Sequence, residues 1–256
     1  MAKPNGNSQA RGFERVETWV FDLDNTLYPA DCNLFAEIDR RMGAFIAAEL
    51  GLSLPEAQRL RQSYYYQYGT TLAGLMRQHK VSPQAFLDYV HDIDLSVIAP
   101  APELARALKA LPGRKFIFTN GSRKHAESVA ERLGLTGHFD DVFDIHSADF
   151  IPKPDPHVYE GFIRAHGIMA ASASMFDDLP HNLVPAHALG MTTVLVATGA
   201  TDHPEHQAIA GWTALPPHIH HRTDALAPFL AAIGEALAAS GDEPKTGRAA
   251  SQFCLT

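Results

Sequence analysis

Cysteine is nearly absent: Cys32 and Cys254 are the two in 256 residues. That is too few for a disulfide scaffold or a cysteine metal site, and a reduced cytoplasmic setting is expected. No run of 18 uncharged apolar residues occurs, so no membrane span is expected. The opening MAKPNGNSQARGFER has no apolar stretch, so no secretory signal is expected. Positive charge is also short, with 21 Lys and Arg against 29 Asp and Glu for a net charge of −8. This is the wrong sign for binding a nucleic acid polymer. There is no GxxxxGK[ST] loop, which excludes a P-loop kinase, and neither a repeat nor a low-complexity tract. What the chain does have is 46% hydrophobic residues, enough for one core, or one core with a small accessory domain.

Short β-branched and aromatic runs punctuate the sequence. Val16 to Phe21 stops at Asp22, Lys115 to Phe118 at Thr119, Ser174 to Phe176 at Asp177, and Met191 to Val196 near Gly199. Helical patterns at about 102–111, 122–134, 155–166, 181–189 and 224–239 separate or follow them. Alternating strands and helices predict a parallel sheet with right-handed crossovers, a Rossmann-like doubly wound α/β fold. One connection is too long, since 95 residues separate Asp24 from Thr119 where a crossover needs about a dozen or more. Apolar residues such as Phe35, Ile38, Met42, Ile46 and Leu50 recur there at spacings of 3 and 4. Helices are expected over 34–50, 55–79 and 83–94, with Pro55 and Pro83 in first turns. The expected organisation is a flexible N-terminus over 1–14, an α/β core over 15–30 and 100–239, a helical cap over 31–99, and a flexible tail over 240–256.

Four polar features sit at the ends of these strands. Asp22 and Asp24 lie two apart and project to one side of an extended segment, or form a solvated or helix-capping turn. An EF-hand is excluded, because its glycine and glutamate positions hold Leu27 and Asn33. Thr119, Asn120, Gly121 and Ser122 fall at a strand-to-helix junction, where a hydroxyl and free N–H groups can cradle phosphate; Ser122 as a plain cap is the alternative. Lys153 is enclosed by Pro152, Pro154 and Pro156, which stiffen its loop. Asp177 and Asp178, with Asn182 after them, end an apolar strand, where paired carboxylates repel unless solvated or bound to a cation. Taken together on one sheet edge, these groups suit a magnesium ion and a phosphoryl group.

DLDNTLYP, FTNGS, the lysine of IPKPDP and FDDLPHN, in that order, resemble the four motifs of the haloacid dehalogenase (HAD) phosphatase superfamily, over roughly residues 16–200. More narrowly, DNTLYP, YYYQYGTTLAGL at 64–75 and SADFIPKPDP resemble the pyrimidine 5′-nucleotidase group. The resemblance implies that Asp22 is the nucleophile and Asp24 the acid and base. It also implies that Thr119 and the amides of Asn120 and Gly121 bind phosphoryl oxygens, and that Lys153 holds nucleophile and phosphate together. Magnesium would sit on the Asp22 carboxylate, the Asp24 carbonyl and the second acid pair, Asp178 ahead of Asp177, with Asn182 in support. The implied activity is a magnesium-dependent phosphomonoester hydrolase acting on UMP and CMP, as a monomer or homodimer. The alternative substrate is a small metabolite such as phosphoglycolate or a sugar phosphate. A phospho-accepting signalling domain would carry its acid pair first and be about half this length.

Tyr64, Tyr68, Thr71 and Leu75 share one helical face. Either this stripe packs the interior of the inserted helices, or Tyr64 and Tyr68, with Thr70 or Thr71, reach the site and stack on a base. Gly69 and Gly74 interrupt the pattern. His218, His220 and His221 have no nearby carboxylate or cysteine to complete a metal site, and are expected to be a surface cluster.

Overall fold

The computed structural model describes residues 12–197, 204–209 and 211–241. Both expected flexible ends fall largely outside these residues, as do Gly199 and Cys254. Six strands, β1 (Thr18–Phe21), β2 (Arg114–Phe118), β3 (Asp141–Phe143), β4 (Ala173–Asp177), β5 (Thr192–Val196) and β6 (His221–Thr223), form one sheet in the order β3-β2-β1-β4-β5-β6. Every pairing is parallel. This is the doubly wound α/β fold expected. The chain leaves β1 in one direction to build β2 and β3 and in the other to build β4 to β6, so the switch point lies between β1 and β4.

Alternation within the central strands explains why they read as short apolar runs. Trp19, Phe21, Ile117, Phe176 and Val194 pack on one face beneath α5 (Pro102–Ala110), α6 (Arg123–Leu133) and α10 (Leu226–Gly241). Val20, Phe116, Phe118, Met175 and Leu195 pack on the other, against α7 (Pro156–His166) and α8 (Leu183–Ala188). Trp19, Phe21 and Val20 are completely buried, each worth about 1.5–3 kcal/mol in removed apolar surface.

Between β1 and β2 lie α1 (Leu34–Leu50), α2 (Leu54–Tyr68), α3 (Thr71–His79) and α4 (Pro83–Val90). They bury a cluster of their own, including Ile38, Ile46, Tyr64, Leu75, Phe86 and Val90. Pro55 and Pro83 occupy first turns as expected. The single helix expected over 55–79 is two helices. Gly69, at φ 83°, ends α2, and Thr70 starts α3 by accepting the Ala73 N–H. A side chain at that φ would be strained, which makes Gly69 a stop. The helix expected over 83–94 ends at Val90, with His91 as its C-cap.

Ile145 belongs to the same cluster and Phe150 packs against it, although both follow β3. His146 spans the junction, with Nδ1 3.1 Å from Asp144 Oδ2 and Nε2 3.0 Å from Gln84 Oε1 in α4. The last helix, α9, spans Pro204–Ile209. No helix among the described residues is long and apolar enough to cross a membrane.

Candidate active site

The C-terminal ends of β1, β2 and β4 are neighbours in the sheet, and their flanking residues converge. Asp22 follows β1 directly, its N–H bonded to Phe176 O at 2.8 Å. Lys153 is 1% exposed, and its Nζ donates to Asp22 Oδ1 at 2.8 Å, Asp177 Oδ2 at 2.8 Å and Phe118 O at 2.9 Å. All three ammonium hydrogens are thereby used. The Asn120 side chain clamps the backbone of this loop, accepting from Lys153 N at 2.8 Å and donating to Lys153 O at 3.2 Å. Asn120 keeps its own backbone N–H to offer an oxyanion. Thr119 Oγ1 accepts from Gly121 N at 2.9 Å, which leaves its hydroxyl hydrogen to donate. A Cβ at Gly121 would come within 3.3 Å of Thr119 Oγ1 and 3.8 Å of Asp24 Oδ2, so glycine keeps this floor open.

The electrostatics are those of an under-compensated carboxylate cluster. Asp22, Asp177 and Asp178 place carboxylate oxygens within 4.8 Å of one another, all three buried. Burial raises the Asp22 pKa well above the ordinary range; Lys153 opposes this, while Asp177, Asp178 and Asp24 reinforce it. Asp178 is pushed up to about 6, chiefly by burial and also by Asp177, against the hydrogen bond from His206. Lys153 is raised instead: burial works against its charge, but Asp177 and Asp22 outweigh it. Three carboxylates share one ammonium, and the remaining negative charge suits a hard divalent cation with oxygen ligands. Asn182 donates Nδ2 to Asp177 Oδ1 at 3.0 Å, while its own buried Oδ1 has no partner. That orphaned oxygen also fits a cation or its water. Asp177 already accepts from Lys153, Leu179 N and Asn182. Asp178, beside His206 Nε2 at 2.8 Å, opens into the cavity.

Four contributors are not among the residues singled out from sequence. Tyr28 Oη and His125 Nε2 reach Asp24 Oδ1 at 2.6 and 2.9 Å. Burial works to raise the Asp24 pKa, but His125 and Tyr28 outweigh it and hold the carboxyl below its usual range. His91 stacks on His125 with ring centroids 4.2 Å apart, and His206 meets Asp178. Tyr28 was legible as the i+4 neighbour of Asp24; the three histidines are brought in by tertiary structure.

A cavity of about 440 Å³ rises from these groups. Its base holds Asp22, Asp24, Thr119, Gly121, Lys153 and Asp178, and the inserted helices supply Phe35, Asp39, Arg61, Tyr65, Tyr66, Thr70 and Thr71 among its walls. Thr70 and Thr71 therefore reach the cavity. Tyr64 and Tyr68 are not among its lining. Tyr64 is 8% exposed within the helical cluster and meets His79 Nε2 at 2.6 Å, and Tyr68 packs on Tyr64 and bonds Gln78. Tyr64 and Tyr68 thus pack within the insertion, and of the next positions round the helix Tyr65 lines the cavity and Tyr66, 70% exposed, sits at its rim.

At the far edge, His220 lies beside His187, with Nδ1 to Nε2 3.2 Å, and accepts from Thr193 N. His221 packs on Phe13. Among the described residues these histidines assemble no three-ligand cluster.

Phosphate metabolism protein 8 of Saccharomyces cerevisiae is 30% identical over 197 residues, 70% of this chain and 61% of the yeast protein, so the match spans less than two thirds of that relative. Glyceraldehyde 3-phosphate phosphatase of Methanopyrus kandleri is 27% identical over 203 residues, covering 72% of this chain and 85% of the archaeal protein. A solved HAD phosphatase from Thermococcus onnurineus shares the fold, with a TM-score of 0.52 at 18% identity over 82% of this chain and 94% of that one. The haloacid dehalogenase-like hydrolase family model matches residues 16–190. That span takes in Asp22, Thr119, Lys153 and the Asp177–Asp178 pair together, and the chain belongs to the haloacid dehalogenase-like hydrolase family.

Proposed function

We propose that the chain is a magnesium-dependent phosphomonoester hydrolase that works through an aspartyl-phosphate on Asp22, with UMP and CMP as substrates. The observation that carries the reaction is the division of labour between two carboxylates. Asp22 has Oδ1 held by Lys153, and Asp24 has Oδ1 held by His125 and Tyr28. Each is left with one oxygen for chemistry.

Asp22 Oδ2 attacks phosphorus, and the new O–P bond forms as the ester P–O bond breaks. Asp24, whose ionised form His125 and Tyr28 favour at rest, acts here after taking up a proton on its free oxygen, which it gives to the departing alkoxide. It then takes a proton from water, which attacks the phosphorus of the acyl phosphate, releases phosphate and restores Asp22. The Thr119 hydroxyl and the Asn120 backbone N–H hold the phosphoryl oxygens, whereas the Gly121 N–H, expected to join them, is taken by Thr119 Oγ1, and Lys153 offsets their charge. The Asp22 and Asp178 carboxylates and the Asp24 backbone carbonyl would hold magnesium, with Asp177 and Asn182 fixing the loop. When bound, the metal supplies positive charge against the phosphoryl group.

The core contacts only phosphate in this reading, so α1 to α4 act as a cap that selects the rest of the substrate. The size of the cavity, its apolar wall at Phe35, Ile38, Phe86 and Leu87, and Tyr65 and Tyr66 beside the Asp39–Arg61 pair support a nucleoside monophosphate. A smaller phosphorylated metabolite is the second reading, favoured by the substrate named for the archaeal relative. The proposed setting is the cytoplasm, as a monomer or homodimer.

The test is phosphate release from UMP, CMP, AMP, GMP, phosphoglycolate and sugar phosphates, with magnesium or EDTA and with Asp22→Asn as control. A tenfold lead for UMP and CMP, about 1.4 kcal/mol of transition-state discrimination, supports the nucleotidase. A lead for small esters moves the substrate to the second reading. Robust turnover by Asp22→Asn defeats the covalent mechanism.

A further inference from the structure

Asp24 is held asymmetrically by groups from two parts of the chain. Oδ1 takes the Tyr28 hydroxyl at 2.6 Å and meets His125 Nε2 at 2.9 Å. Oδ2 lies on the Gly121 side, 3.8 Å from where a Cβ on that residue would sit. His125 is 2% exposed in the first turn of α6 and is not among the cavity-lining residues, so it stands behind Asp24. Its ring lies flat against His91, with 7° between the planes. His91 Nδ1 is 3.0 Å from Ser122 Oγ, which itself accepts the His125 N–H at 3.3 Å. His91 ends α4 and lines the cavity. The insertion therefore reaches the general acid through one ring stack and one hydroxyl.

We propose that His125 is a positioning residue for the general acid, fixing Asp24 by Oδ1 so that Oδ2 carries the proton, and that His91 brings the insertion to bear on that orientation. The inference rests on the phosphomonoesterase reading and goes beyond it. An oxygen that already accepts two hydrogens is the less basic of the pair, so a proton that Asp24 takes up goes to the other. Rotating the carboxylate would break bonds to two separate elements at once. Removing His125 leaves Tyr28 as the one hold on Oδ1 and touches neither Asp22 nor Lys153, although its ring also lies beside Gly121, with Cδ2 3.5 Å from where a Cβ there would sit. The loss therefore falls on leaving-group protonation, while phosphate binding is spared. His91, one ring further out, has the same effect in weaker form.

The experiment compares kcat/KM for p-nitrophenyl phosphate and phenyl phosphate, esters of similar shape. p-Nitrophenolate departs unaided, whereas phenolate needs a proton. kcat/KM also ends at departure of the leaving group, so hydrolysis of the acyl phosphate does not enter. His125→Leu is expected to lower the phenyl phosphate value at least tenfold and the p-nitrophenyl phosphate value less than threefold, with inhibition by inorganic phosphate unchanged. His125→Gln, which keeps an N–H donor near the Nε2 position, is expected to recover most of the loss. His91→Ala should fall between wild type and His125→Leu. Equal loss on both esters, or none on either, overturns the positioning role while phosphomonoesterase activity stands on the wild-type rates. A wild-type chain that cleaves neither ester overturns the reading and the inference together.

Discussion

Lys153 Nζ sits 2.8 Å from Asp22 Oδ1 across 131 residues of chain. The same ammonium is 2.8 Å from Asp177 Oδ2, so it is the counter-charge that lets β1 and β4 end in carboxylates side by side.

Replacing it leaves two buried anions facing each other. Lys153→Met is expected to lower turnover at least a hundredfold and to cost about 3–5 kcal/mol of stability, the usual penalty for breaking a buried pair from one side. Lys153→Arg is not expected to restore activity, because a planar guanidinium cannot direct donors to the same three acceptors. Urea unfolding and steady-state kinetics check both. Unchanged stability would mean that the carboxylates are compensated from elsewhere.

Tyr64 and Tyr65 are adjacent in α2 but face different surroundings, and their variants should separate cleanly. Tyr64→Ala removes a ring from the helical cluster, and is expected to cost about 3 kcal/mol of stability. Tyr65→Ala is expected to leave stability within about 1 kcal/mol of wild type. It should also raise KM for UMP on the order of tenfold, as loss of one stacking contact would, with KM for p-nitrophenyl phosphate little changed. Thermal melts read the first effect and KM the second; a Tyr65→Ala variant with an unaltered UMP KM would remove that ring from base recognition.

His91 makes the fold acid-sensitive. Burial, with some help from His125, pushes its pKa down to about 3, whereas in the unfolded chain it titrates near about 6.5. Between those values the unfolded chain binds the proton and the folded one does not. Stability is thus full above about pH 7 and falls with acidification, by at most about 1.4 kcal/mol per pH unit from this group. His91→Phe keeps a flat ring and loses the proton site. Its unfolding free energy relative to wild type should rise as the pH drops from 7 to 5, measured by urea titration at each pH. A difference that does not change with pH would place the acid sensitivity elsewhere.

The parts of this molecule that were legible in sequence are those whose physics is local. β1, β2, β4 and β5 are covered on both faces and so carry short apolar stretches such as the FIF of β2 and the VLV of β5. β3 and β6 are three-residue edge strands reading DVF and HRT, too short and too polar to stand out. The strand-end motifs carried the site, because a parallel sheet puts its strand ends on one edge whatever lies between them. His125 escaped notice because it is an ordinary helix residue, 101 positions from the carboxylate it holds. The tyrosine stripe left two readings open, since periodicity shows that residues share a face but not what that face meets. Gly69 was visible as an interruption, but whether a glycine bends a helix or ends it depends on its φ.

The turn after β3 ties two bodies together. By connectivity residues 144–150 belong to the sheet, yet Ile145 and Phe150 pack with the inserted helices and His146 reaches Gln84. The unit that can be exchanged between proteins is therefore larger than the stretch from β1 to β2. A chimera that transplants α1 to α4 alone would expose their interior at Ile145, whereas one that carries this turn as well takes its own seat along.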